Sequence, residues 1–217
     1  MSEILYLPVS LGEAIDKLTI LDIKLEFIKD EFRKNEVKKE YDMLYEKLKD
    51  VVVKYNEYYK IMKHVNREIW FMMDILRDSK NITDEEYYKK CKECTDANDM
   101  RFRIKNKINN ITNSILKEQK SYNVLRCVFD LKDNSIDMED VVNIIKYYSY
   151  VYDEILIICD DNILQKDIFR HDTTIKIVNN YHLDNSDKFI KFSNYNSKDY
   201  LFEELNITNN IIEIFMC

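Results

Sequence analysis

The sequence predicts an α+β chain: an antiparallel bundle of long α-helices over residues 1–122, then a small α/β domain, half of a doubly wound Rossmann-like fold, over 123–217. Three observations predict it. Apolar residues recur at three- and four-residue steps through most of the first half. The pattern then changes to short apolar runs flanked by charge, alternating with helical stretches. Charge shifts at the same place: residues 1–122 hold 24 Lys/Arg and 23 Asp/Glu, whereas residues 123–217 hold 9 and 17.

Taken in order, the first helix is Ser10–Phe32, where Ala14, Leu18, Leu21, Leu25, Ile28 and Phe32 form a coiled-coil-like 4-3-4-3-4 seam. Ile20, Ile23 and Phe27 widen it. Ser10 and Glu13 have capping-box spacing, and Pro8 discourages an earlier start. Asn35 breaks the pattern and a second helix begins near Val37, with Leu44, Leu48, Val51, Val52 and Tyr55 in helical register. A third covers Tyr58–Arg77 with Ile61, Val65, Ile69, Met72 and Leu76 on one face; whether 37–78 is one kinked helix or two stays open. Thr83 and Glu86 are a second capping box, opening a helical region that runs to about Tyr122 with Ile104, Ile108, Ile111 and Ile115 in step.

In the second half, residues 124–131 read as a strand, and Asp137 caps a helix Met138–Tyr148. DEILIICDD (153–161) is the clearest buried parallel strand. A short helix at 163–169, strands at 173–178 and 187–192, a helix Ser197–Leu205 and a last strand at 211–216 complete the reading.

Composition excludes several functions. The single glycine, Gly12, leaves no glycine-rich loop for a nucleotide phosphate. There is no apolar run long enough to span a membrane. The N-terminus lacks a basic region followed by an apolar core, so a cytoplasmic location is expected, or host cytoplasm or virion for a viral protein. Abundant Asn, Ile, Lys and Tyr point to an AT-rich genome, viral or bacterial. Five cysteines fit a reduced compartment. Cys91 and Cys94 form a lone C-x-x-C inside a predicted helix, without the second pair that a zinc site needs. The acidic second half argues against general nucleic-acid binding. The basic run 101–107 does not make one patch, because 101 and 105 lie nearly opposite 103 and 107 on a helix.

Three blocks resemble an uncharacterised bacterial and viral domain family of unknown function. Ser10–Lys24 reads S-x-G-E-x-x-D-K-L-T-I-L-x-I-K. Residues 65–70 read V-N-x-x-x-W, followed by Asp74 and Arg77, with one acidic position departing from the family pattern. Residues 98–109 read N-D-x-R-x-x-I-K-x-x-I-N and continue to Ser114, Glu118 and Lys120-Ser121-Tyr122. Together they span Pro8–Tyr122. The resemblance implies no mechanism; its members are similar in context to glycosyltransferase and cell-surface polysaccharide proteins.

The candidate site residues are polar side chains set beside these apolar seams. Asp16 and Lys17 lie on the first helix, and Asp16 falls in line with Ile20, Ile23 and Phe27. Asn66, Asp74 and Arg77 step along the third; Asn98, Arg101, Lys105 and Asn109 step along the fourth. Converging stripes of this kind suit an anionic ligand such as a sugar phosphate or nucleotide sugar. The same stripes also serve as register-fixing networks that bind nothing. Asp160 and Asp161, at the end of a predicted strand, have the hard oxygens that suit Mg²⁺, although turns and helix caps use such residues more commonly. His171 and His182 have no visible serine or cysteine partner.

The sequence therefore supports a binding or accessory module in glycan or surface-polysaccharide biosynthesis. The alternatives are a glycosyltransferase-like enzyme with its site between bundle and α/β domain, and a purely structural scaffold. A protein partner or homo-oligomer is compatible with each.

Overall fold

A computed structural model describes residues 4–78, 80, 82–121, 123–159, 169, 172–205 and 214. The chain divides into two compact units, residues 1–119 and residues 120–217.

The first unit contains helices α1 (Leu11–Phe27), α2 (Glu31–Lys54), α3 (Asn56–Arg77) and α4 (Asp84–Ile111). α1 lies at the centre, packed against the other three. Its apolar seam explains this: Ala14, Ile15, Leu18, Leu21 and Ile23 are all buried, as are Ile61, Met62 and Val65 of α3 and Ile104 and Ile108 of α4. Tyr55 Oη donates to the Ile111 carbonyl at 3.4 Å, tying the start of α3 to the end of α4 in an antiparallel pair.

Three boundaries differ from the sequence reading. α1 stops at Phe27 because Ile28 takes an extended conformation and Asp30 caps the next helix, its side chain accepting from the Arg33 N–H at 2.8 Å. Phe32 therefore belongs to α2, where it is 75% exposed rather than on a buried seam, and Asn35 lies inside that helix. Residues 37–78 are two helices: Tyr55, at φ −121° and ψ 42°, interrupts them. α4 ends at Ile111, not near Tyr122. Asn113 adopts a left-handed φ of 52°, the Ser114 N–H donates to the Asn109 carbonyl, and the Asn113 N–H to that of Asn110. This is a Schellman ending with Asn in the usual glycine position. Ile115, expected on the helix's apolar face, is 98% exposed beyond it.

Capping chemistry separates the two predicted boxes. Thr83 and Glu86 bond reciprocally, as expected. Ser10 Oγ accepts from the Glu13 N–H at 3.1 Å, but the Glu13 carboxylate turns to Lys105 instead of closing the box.

Gly12 fixes how α1 meets α4. A Cβ there would lie 2.4 Å from the Lys105 carbonyl oxygen and 2.9 Å from its Cα. Along α1 from Leu11 through Gly12, the partners on the other side run backwards from Ser114 to Asn109, so the two helices are antiparallel.

The second unit holds strands β1 (Arg126–Asp130), β2 (Glu154–Ile158), β3 (Ile175–Val178) and β4 (Lys188–Lys191), with α5 (Met138–Val151) between β1 and β2 and α6 (Lys198–Glu204) after β4. The sheet is wholly parallel in the order β3-β2-β1-β4. β1 and β2 are central and buried on both faces, which is why their sequences read as continuous apolar runs. Cys127, Phe129, Ile155 and Ile157 pack with Val141, Ile144, Ile145 and Tyr148 of α5; Val128, Leu156 and Ile158 form a smaller cluster on the other face. The α+β class read from the sequence is the class observed. The predicted helix at 163–169 and strand at 211–216 fall, apart from Phe169 and Ile214, outside the described residues.

Gly12→Ala is expected to destabilise the first unit by about 1–3 kcal/mol, since the obstacle is backbone rather than a yielding side chain. Urea unfolding measures it. A neutral or stabilising result would mean that α1 and α4 do not approach this closely.

Candidate functional site

The first turn of α1 has its free backbone donors answered from outside the helix. The Gly12 N–H donates to Asn109 Oδ1 at 2.7 Å, the Leu11 N–H to Ser114 Oγ at 3.3 Å, and the Glu13 N–H to Ser10 Oγ. Asn109 is completely buried, and its Nδ2 has no acceptor among the described residues. An unmade bond of that kind costs about 1–3 kcal/mol, so this amide serves the α1–α4 junction at a loss.

One turn further, Asp16 is 4% exposed. Asn66 of α3 donates from Nδ2 both to Asp16 Oδ1 at 2.8 Å and to Thr19 Oγ1 at 2.9 Å, while Thr19 Oγ1 donates to the Asp16 carbonyl at 2.8 Å. Burial raises the Asp16 pKa above the usual carboxylate value; the Asn66 hydrogen bond and the charges of Arg101 and Lys105 oppose that rise without cancelling it. Lys105 is buried and bridges two carboxylates, Glu13 at 3.0 Å and Glu118 at 2.5 Å. Burial alone would lower the Lys105 ammonium, and its bonds to Glu118 and Glu13 turn the net shift upward. Arg101, half-buried beside this group, donates to Asn98 Oδ1 at 2.7 Å.

The structure thus brings together Asp16, Asn66, Arg101, Lys105 and Asn109. Asn98 is exposed and, among the described residues, reaches the group through its bond from Arg101. Lys17 is exposed and pairs with Glu40 at 2.6 Å. Asp74 and Arg77 form an exposed pair of their own at 3.6 Å. The geometry of a helix explains these departures: Lys17 is rotated about 100° from Asp16, and Asp74 stands about 12 Å along α3 from Asn66. Arg103 and Lys107 are buried.

Spacing alone makes Glu13 a helix cap and gives Ser114 and Glu118 no place in the site. Their presence in the signature blocks was the available signal. A second polar group on α1 also went unread: Lys63 pairs with Asp22 and with Glu26 at 2.7 Å each, Arg67 with Glu26 at 2.6 Å, and Tyr59 Oη donates to Asp22. A hydrogen bond donated by Lys63 holds the Glu26 carboxyl below its usual value. Beyond it Phe27 packs on Trp70 and Phe71.

Asp160 and Asp161, the candidate metal ligands, lie outside the described residues, as does His171. Among the described residues no cluster of His, Cys, Asp or Glu is arranged to hold a metal ion, and no helix is long and apolar enough to cross a membrane. Asp130, at the end of β1, accepts from the Lys132 N–H at 3.0 Å, which is turn chemistry. Among the described residues, Cys91, Cys94, Cys127 and Cys159 form no disulfide.

A family model described as a family of unknown function (DUF6165) matches residues 5–138, more than half of the chain. No curated protein and no solved structure matches it. The matched span contains α1 to α4 and β1, and with them every residue of the Asp16 centre.

Asp16→Asn tests the charge of that centre. A carboxyl with a raised pKa binds more protons folded than unfolded, so its contribution to stability falls as pH rises from its ordinary value, 3.8, through its own raised value. The substituted amide keeps an acceptor for Asn66 and does not ionise. The melting temperature of the wild type is therefore expected to decline relative to Asp16→Asn across that window. Parallel curves would show that Asp16 carries no ionisation cost.

Proposed function

Because the chain belongs to the DUF6165 family of unknown function, we propose its role from the site: a binding or accessory module in glycan or surface-polysaccharide biosynthesis, with a sugar phosphate or nucleotide sugar held at the Asp16 centre. One observation carries the reading. Side chains from all three signature blocks, Asp16, Asn66 and the pair Arg101 and Lys105, meet at one partly buried group of mixed charge. The polysaccharide context of the resembling family supports the glycan assignment.

The chemistry fits such a ligand. The planar guanidinium of Arg101 matches a phosphate, and Lys105 supplies a point charge beside it. Glu13 and Glu118, both well exposed, are acceptors for sugar hydroxyls. Asp16 can accept or donate according to its protonation.

A scaffold role has its own support, since the α1 donors are already satisfied by Ser10, Asn109 and Ser114, an arrangement that fixes helix register. Ligand response separates the two. Thermal unfolding against nucleotide sugars, nucleotides and sugar phosphates, with and without Mg²⁺, is the experiment. A ligand at about 100 times its dissociation constant adds about 2.7 kcal/mol of stability. We expect a shift with nucleotide sugars or sugar phosphates that Arg101→Ala abolishes while helical content is retained. No shift with any of them, or loss of fold in Arg101→Ala without any ligand response, would leave the network as scaffold. A shift that requires Mg²⁺ would move the ligand to Asp160 and Asp161.

A further inference from the structure

Lys105 is held from two sides by carboxylates that differ in how they are themselves held. Glu13 is fixed within the first turn of α1. Glu118 comes from the irregular segment that leaves α4 through the left-handed Asn113. That segment has polar tethers: Ser114 Oγ on the Leu11 N–H, Lys117 Nζ donating to Asn110 Oδ1 at 2.7 Å, and Glu118 on Lys105. Its apolar side chains do not anchor it, because Ile115 and Leu116 are both exposed. The shortest of these contacts, 2.5 Å, is a carboxylate on a buried ammonium.

We infer that Glu118 is an internal anion, occupying on Lys105 the place of the ligand's phosphate, and that residues 115–118 are a strap, hinged at the anchored Ser114, that swings aside when the phosphate binds. This rests on the anion-binding reading above. An attached carboxylate competes at an effective concentration in the millimolar range or higher. A free monocarboxylate would lose to it. A phosphoryl group, with more charge and three acceptor oxygens, can displace it by bonding Lys105 and Arg101 together. The strap therefore also selects: it sets a threshold that only di-anionic groups cross. Once released, Glu118 remains beside the site as an acceptor for a sugar hydroxyl.

Glu118→Gln, a neutral side chain of the same shape, provides the test. Amide hydrogen exchange over residues 114–121 is expected to quicken about tenfold, as a charge-assisted hydrogen bond becomes a neutral one. Inorganic pyrophosphate, followed by calorimetry, is expected to bind the variant about tenfold more tightly than the wild type, and acetate is not expected to bind either. Glu13→Gln, which removes the same charge from the other side of Lys105, should leave the exchange of 114–121 unchanged. Equal exchange in Glu118→Gln and wild type would overturn the strap even where the wild type binds nucleotide sugars, so the functional reading would survive it. Faster exchange without any gain for pyrophosphate would overturn the internal anion. If the wild type also ignored the nucleotide-sugar panel, the functional reading would fall with it.

Discussion

Where α1 crosses α4 there is no room for a side chain at position 12, and the backbone of one helix rests almost directly on that of the other. Such contact removes water from the first turn of α1, whose backbone donors must then be satisfied by protein. Asn109 and Ser114 answer that need, the first from the last turns of α4 and the second from just past its end. Ser114 is in position because Asn113 turns the chain back through a left-handed conformation, a state that Asn tolerates better than most residues. The glycine, the amide, the hydroxyl and the Schellman ending are parts of one constraint.

The same contact sets the electrostatics around it. Pressing α1 onto α4 and α3 buries Asp16, and burial without a direct cation raises its pKa; Asn66 supplies the neutral donor that makes the position tolerable. Lys105 is buried by the same approach and holds its charge because two carboxylates reach it. Replacing either of those carboxylates weakens a pair whose ammonium is buried, whereas surface pairs such as Lys17–Glu40 contribute little. The polar centre is thus a consequence of close packing as well as a candidate site, and its burial is what gives its charges leverage.

Much of this was legible in the sequence, and the remainder has physical causes. The apolar seam of α1, the Thr83 capping box and the parallel strands β1 and β2 are local patterns, carried by spacing and side-chain type. The placement of Asp16 in line with Ile20, Ile23 and Phe27 foretold its burial. Helix ends were less legible: Asp30 opens α2 and Asn113 closes α4 through side-chain and backbone geometry that many Asp and Asn residues never adopt. Spacing along a helix also does not say how far a stripe stays on one face. Arg77, eleven residues from Asn66, returns to nearly the same face but about 16 Å further along, and so does not reach the centre. Glu118 could not be placed while its segment was read as helix, because only the turn at Asn113 brings its carboxylate back to Lys105.

The charge balance of the centre constrains any anion that enters it. Glu13, Glu118 and ionised Asp16 face Lys105 and Arg101, so the group carries a net negative charge when Asp16 is ionised and is neutral when it is protonated. A phosphate arriving beside Asp16 adds like charge, which raises further a pKa that burial has already raised. On the proposed reading, binding of the anion and protonation of Asp16 would favour each other, since each removes part of the cost of the other. Displacement of Glu118 would take one negative charge away from Lys105, offsetting part of the charge the anion brings and so weakening this coupling. On that reading, proton uptake by the buried Asp16 carboxyl would let a centre that is not itself strongly basic admit an anion, in place of an excess of lysine and arginine.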